Sequence, residues 1–202
     1  MEMFFLPLEI DDLLQGPVPN LKIVQEVRMI RSFDGKKPKI ARSAFISEAA
    51  YVIGDVEIGE NSSVWPGAVI RGDFGKIIIG NNTAVEDNSV VHSGSLSSEI
   101  GDVVIGSEVH VGHGAVINCR RIGDNVLIGI NATILHDAEI GDSCIVGAGC
   151  LVSQGMQVPD GSFVAGVPGE IKGKVSPRHA VWIQRAPQGY VELAERYKAQ
   201  GL

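Results

Sequence analysis

The chain has 202 residues, 45% of them hydrophobic and 20% charged, with a formal net charge of -7. That length suits one domain with a real core. The absence of a long apolar run excludes a membrane-spanning helix, the composition excludes a disordered chain, and the acidic balance excludes a phosphate-tracking nucleic-acid surface. Val (24) and Ile (22) far outnumber Leu (11), and Gly reaches 25, which points to strands and tight turns and excludes an all-helical bundle.

Taken in chain order, residues 1–29 follow no pattern and form an N-terminal extension whose role the sequence does not reveal. Its opening, MEMFFLPLEIDD, puts no basic region before the apolar stretch, so no signal peptide is expected. Three cysteines, Cys119, Cys144 and Cys150, lack CxxC spacing and fit a reducing compartment. The expected location is cytoplasmic.

From residue 30 to 170 the chain repeats. An aliphatic residue returns every six positions at Ile40, Ile46, Val52, Ile58, Val64 and Ile70. The register resumes at Ile79, Val85 and Val91, again at Ile105, Val111 and Ile117, and then runs Ile122, Ile128, Ile134, Ile140, Val146, Val152, Val158 and Val164. A six-residue period fits neither an α-helix nor a hairpin; it is the signature of a parallel β-helix. Three hexads close one coil, coils stack at the ordinary strand spacing of about 4.8 Å, and the repeat allows about seven of them. Gly often follows the aliphatic (Gly59, Gly80, Gly106), and a small residue sits four places after it (Ala50, Ala68, Ala115); both are turn or tight-packing positions. The expected class is all-β, a parallel β-helix with a C-terminal helical segment.

Register breaks mark loops on a coil edge. One adds residues around Phe74–Ile77, a longer one follows His92, and one coil is a residue short before Ile122. After Val164, GVPGEIKGKVSP reads as a connector, and residues 171–202 as a helical segment packed on the coil. Pro187 and Gly189 predict a helix, an interruption and a second helix.

Numbering each residue by its place in the coil gives a spatial expectation. Arg71, His92 and Asn118 each follow the third aliphatic of successive coils and form a column on one edge. His113 lies two after Val111, on a neighbouring face, so a partner subunit brings it to that column more readily than its own chain does. Glu86, one place after Val85, lies near a coil edge, where an ion pair with Arg71 is its structural reading. His110 and His136 read as surface residues that lie near the site, His179 as structural, Cys144 and Cys150 as packing residues. Cys119, beside Asn118, is the one soft ligand to consider.

VWPGAVIRGD at 64–73, VEDNSVVH at 85–92, VGHGAVINC at 111–119, IVGAGCLV at 145–152, VAGVPGEIKG at 164–173 and YVELAERY at 190–197, in this order and spacing, resemble the gamma-class carbonic anhydrases. The resemblance implies a left-handed coil, a homotrimer, and zinc, iron or cobalt held at each subunit interface by three histidines. Two of those histidines match His92 and His113; the third position holds Asn118. Zinc chemistry needs about three protein ligands and an open position, and Asn118 is a poor third; on this resemblance Glu86 is a substitute, since two His and one Glu make an established zinc set. Arg71, Asp73 and Asp87 match too, the first two as interface ion-pairing residues, while Ala84 and Glu86 replace the family's Asn and Gln. The implied activity is reversible CO2 hydration, a lyase reaction with CO2 or bicarbonate as substrate and neither nucleic acid nor membrane as partner. Two other readings stay open: a non-catalytic, metal-free trimer on the same scaffold, and a hexapeptide-repeat acyltransferase using a histidine base and a CoA thioester. The VAGVPG ending and the lack of a long coil-edge loop carrying the histidine count against the last.

Overall fold

A computed structural model describes residues 29–94 and 101–202. The N-terminal extension up to residue 28 and most of the loop after His92 lie outside the described residues. The chain winds as a parallel β-solenoid of about seven coils with three flat faces, and its hexapeptide repeats fit the left-handed form.

The first face stacks the strand that begins at Tyr51 on Val69–Arg71, Val90–His92, Val116–Ile117, Thr133–Ile134 and Leu151–Val152. The second face runs through Lys39–Ile40, the end of Tyr51–Ile58, the end of Val69–Ile79, Val103–Ile105, Arg121–Ile122, Glu139–Ile140 and Gln157–Val158. The third runs from Phe45–Ile46 through Ser63–Val64, Ala84–Val85, His110–Val111, Leu127–Ile128 and Ile145–Val146 to Ser162–Ala165. The strands Tyr51–Ile58 and Val69–Ile79 turn the corner between first and second faces without a break. The residues added around Phe74 are absorbed there by a register shift at Gly54–Val56.

The hexad aliphatics fill the axis. Eighteen of the twenty are buried; Ile40 and Ile46, in the first coil, are partly so, since among the described residues one side of each has no coil stacked on it, and both pack against the core. About three Ile or Val side chains per coil removed from water, at about 25 cal/mol per Å² of apolar surface, drive the winding. The corners close it. Asn61, Asn82 and Asn125, each three after an aliphatic, hold the left-handed backbone at φ of 52–56°, a conformation Asn tolerates through local hydrogen bonding. A Cβ on Gly80 would come within 2.6 Å of the Gly106 carbonyl group, so the glycine is needed for the coils to touch.

The connector holds a strand, Glu170–Lys174, antiparallel to Ser162–Ala165. The helix that follows departs from the expectation: it runs unbroken over Pro177–Ala199, through both Pro187 and Gly189. Pro187 removes one hydrogen bond to the preceding turn, but it is buried, and the helix gains its stability from packing rather than propensity. Ser176 caps its start, accepting from the His179 amide at 3.3 Å, and Pro177 occupies its first turn. Tyr190, Leu193, Ala194 and Tyr197 pack on Phe45 and Trp65 of the third face, with Trp65 ring centroids 5.4 Å from Tyr190 and 5.1 Å from Tyr197. No helix among the described residues is long and apolar enough to cross a membrane.

Candidate metal centre

The two ends of the first-face strands carry the chemistry. Each strand starts at a leading corner, arriving from the third face, and ends at a trailing corner, leaving for the second.

At the trailing corner, strand pairing sets Arg71 beside His92 and Val91 beside Ile117, so Arg71, His92 and Asn118 form the column the hexad numbering predicts. Arg71 Nη1 pairs with Asp73 Oδ2 and not with Glu86. His92 Nε2 hydrogen-bonds Asp73 Oδ1 at 3.0 Å, and Phe74 stands edge-on to its ring at 5.8 Å. Burial alone would raise the Asp73 carboxyl; the hydrogen bonds from Arg71 and His92 outweigh it and hold the group below the usual carboxylate range. Asn118 Nδ2 donates to the His92 carbonyl at 2.6 Å, and its Oδ1 is buried without a partner. The amide nitrogen is thus committed to its own chain, and the oxygen is not. His136 lines the same small pocket as Asn118 and Arg120. Cys119 is 1% exposed and packs in the core cluster, where burial pushes its thiol up to about 12.

At the leading corner, Glu86 is 3% exposed. Its Oε1 lies 3.0 Å from His110 Nε2 and its Oε2 3.1 Å from His113 Nε2. Oε2 also accepts from the His113 amide at 2.8 Å, and the Tyr190 hydroxyl of the helix interacts with the same carboxylate. Burial would raise Glu86; its bonds to His110 and Tyr190 reverse this and keep it low. His113 turns Nδ1 to Asp87 Oδ2 at 3.0 Å. His110 is therefore no surface residue: it pairs with Ala84 on the third face, and its side chain is 12% exposed, packed against Tyr190 at 4.9 Å. Its position one before the core Val111, with Glu86 one after the core Val85, was the signal in the sequence. Tyr190 carries no such signal, because nothing in its helical spacing names the corner it reaches. His179 packs between Phe163 and Trp182, and Cys144 and Cys150 are buried in the core.

Chemically, the two imidazoles are alike. Each has a carboxylate behind one nitrogen, Asp73 for His92 and Asp87 for His113, which fixes the tautomer and leaves the other nitrogen its lone pair. At His113 that lone pair faces Glu86 Oε2 at 3.1 Å, and two such donors repel unless a positive charge, a proton or a metal ion, stands between them. Two carboxylate-backed histidines and one carboxylate fit a divalent metal. Among the described residues, no group of three or more His, Cys, Asp or Glu in the one chain is arranged to hold a metal ion.

Residues 37–72 and 121–154 match the family model for the bacterial transferase hexapeptide (six repeats). A probable carbonic anhydrase of Methanocaldococcus jannaschii is 46% identical over 156 residues, 77% of this chain and 96% of that protein. The chain belongs to the gamma carbonic anhydrase-like family of hexapeptide-repeat proteins. Mitochondrial gamma carbonic anhydrase 2 of Arabidopsis thaliana is 32% identical over 95% of this chain and 69% of its own length. Among solved structures, one titled a putative acetyltransferase of Bacillus cereus superposes with a TM-score of 0.79 at 37% identity, covering 85% of this chain and 98% of that one.

Proposed function

We propose that this protein is a carbonic anhydrase-type metalloenzyme that interconverts CO2 and bicarbonate. The metal, zinc in the first instance and iron or cobalt as alternatives, would be held between copies of a homotrimer. His92 of one copy and His113 of the next supply the imidazoles, and Glu86 takes the place of the third histidine. The observation that carries the reading is the approach of Glu86 Oε2 to His113 Nε2 at 3.1 Å with Asp87 on the opposite ring nitrogen. When bound, the metal supplies the Lewis acidity that lets water act as a nucleophile toward CO2 near neutral pH.

The chain's own residues do the rest. Asp73 and Asp87 hold the two rings in the ligating tautomer, Arg71 offsets the Asp73 charge, and Asn118 pins the His92 backbone. The assembly follows from the three faces. The helix covers the third, and mostly charged side chains, with Ile78 and Val104 among them, line the second, whereas the first presents an outward row of Tyr51, Val69, Val90, Val116, Thr133 and Leu151, half-exposed or exposed. An apolar sheet face of this kind is buried by a symmetric copy. Because the leading and trailing corners border that face, packing it around a threefold axis sets one copy's His92 against the next copy's His113.

Metal analysis of the purified trimer, with stopped-flow CO2 hydration before and after added zinc, tests the proposal. Wild type is expected to bind about one zinc per subunit, and Glu86→Gln to lose most of it together with the activity. Unchanged metal content in Glu86→Gln would sink this ligand set. A stable trimer without metal is the second reading, favoured by Asn118 standing where the family has a histidine; wild type failing to take up zinc, iron or cobalt would establish it.

A further inference from the structure

We infer that His110 and Tyr190 are positioning residues that clamp the Glu86 carboxylate, so that docking of the C-terminal helix and the metal affinity of the leading corner are coupled. This rests on Glu86 being a metal ligand, as proposed above. A buried carboxylate on a three-bond stem has several rotamers, and a ligand is useful only in one. Here Glu86 is held from several sides. His110 Nε2 stands at 3.0 Å on Oε1 and the His113 amide at 2.8 Å on Oε2, and Tyr190, whose ring lies edge-on to His110 at 4.9 Å, interacts with the same carboxylate.

Two details mark this as a clamp and not as general packing. His110 Nδ1 is buried with no hydrogen-bond partner, so the ring's polar contact is the one to Glu86. An imidazole that leaves half its hydrogen-bonding capacity unmet, at a cost of about 1–3 kcal/mol for a buried polar group, is placed for the bond it does make. Tyr190 shows the same division of labour: its ring packs edge-on to Trp65 at 5.4 Å and to His110 at 4.9 Å, while its hydroxyl reaches off the helix to the carboxylate. The helix is held independently by Tyr197 against Phe45 and Trp65, and by Lys198 Nζ donating to the Ser43 carbonyl at 2.7 Å. Losing the hydroxyl therefore leaves the helix docked and frees only the carboxylate.

The test uses the full-length trimer. Tyr190→Phe removes the hydroxyl, His110→Leu removes the other donor, and His110→Gln restores an N–H near it. Zinc affinity is read by chelator competition and the ligand field by the visible spectrum of the cobalt(II) form, with helix content and trimer mass as controls. Tyr190→Phe and His110→Leu are each expected to weaken zinc about 10-fold or more, the size seen for outer-shell partners of metal ligands. Both should shift the cobalt spectrum, and His110→Gln should recover most of the loss. If both removals bind zinc like wild type with an unchanged spectrum while Glu86→Gln loses metal, the clamp is wrong and the ligand set stands. If Glu86→Gln also keeps its metal, the ligand set falls and takes the clamp with it. Should His110→Leu fail to fold, Tyr190→Phe decides alone.

Discussion

The leading and trailing corners of the first face are built from the same coil geometry yet arranged to opposite ends. At the leading corner a buried glutamate gathers two histidines and a tyrosine, and a helix braces it from outside. At the trailing corner the charged groups satisfy one another, Arg71 and His92 both spending their donors on Asp73, and Asn118 turns inward to the backbone. The coil supplies identical places one strand spacing apart; what a corner can do depends on whether its side chains are held from outside or close on each other. One corner holds a buried carboxylate against a half-exposed imidazole, the other a single imidazole, and among the described residues neither gathers a metal site in the one chain.

The largest expected effect breaks each corner in turn. His92→Ala and His113→Ala should each reduce bound zinc to near zero in a trimer of normal mass, since two remaining donors seldom hold zinc. Co-refolding the two variants is the sharper form. In a randomly mixed threefold assembly, a site needs an intact trailing corner from one copy and an intact leading corner from the next, which occurs at about one interface in four. Zinc recovery to about a quarter of wild type supports sharing between copies. No recovery means that both histidines serve one chain, and the proposed arrangement around the first face is wrong.

A smaller effect is expected from restoring the trailing corner. Asn118→His places a third imidazole in the column with His92, and zinc affinity should rise about 10-fold, measured by the same chelator competition. The gain is held down by the loss of the Nδ2 bond to the His92 carbonyl at 2.6 Å, which frees the backbone that carries the ligand. No gain at all in an intact trimer would show that Asn118 is worth more as a clamp than a histidine is as a ligand.

The corners also show what the sequence can and cannot carry. The period of Ile and Val placed eighteen of twenty core positions correctly, and because strand pairing is a consequence of that register, the Arg71, His92, Asn118 column was legible too. Contacts within the repeat obey its numbering. Contacts from outside it do not: Tyr190 comes from a helix about a hundred residues after Glu86 along the chain, and its docking angle depends on aromatic packing against Phe45 and Trp65 that no spacing encodes. The unbroken helix was missed for a related reason. Pro187 and Gly189 are local breaking signals, and a tertiary surface that buries Pro187 overrode them. His110 reads as a surface residue from its distance along the chain to His113, whereas its place beside Ala84 on the third face, under Tyr190, leaves its side chain 12% exposed.

The smallest effect tests whether the first face, and not the second, is the one that packs. On the second face Glu57 binds Lys39 and Lys76, each at 2.9 Å, and these hydrogen bonds hold its carboxyl below the ordinary glutamate range against a minor opposing effect of desolvation. A depressed folded value means stability that is present above the unfolded value, about 4.3, and lost as pH falls through the folded one. The group is exposed, so screening by water and salt leaves little of it. Glu57→Gln should therefore lower Tm by no more than about 1 °C at pH 7, with the difference closing as both proteins are taken to acid, and leave trimer mass and zinc content untouched. A variant that dissociates, or loses metal, would mean that the charged face lies in a subunit contact, and the division of labour among the three faces would have to be redrawn with the second face in the place of the first.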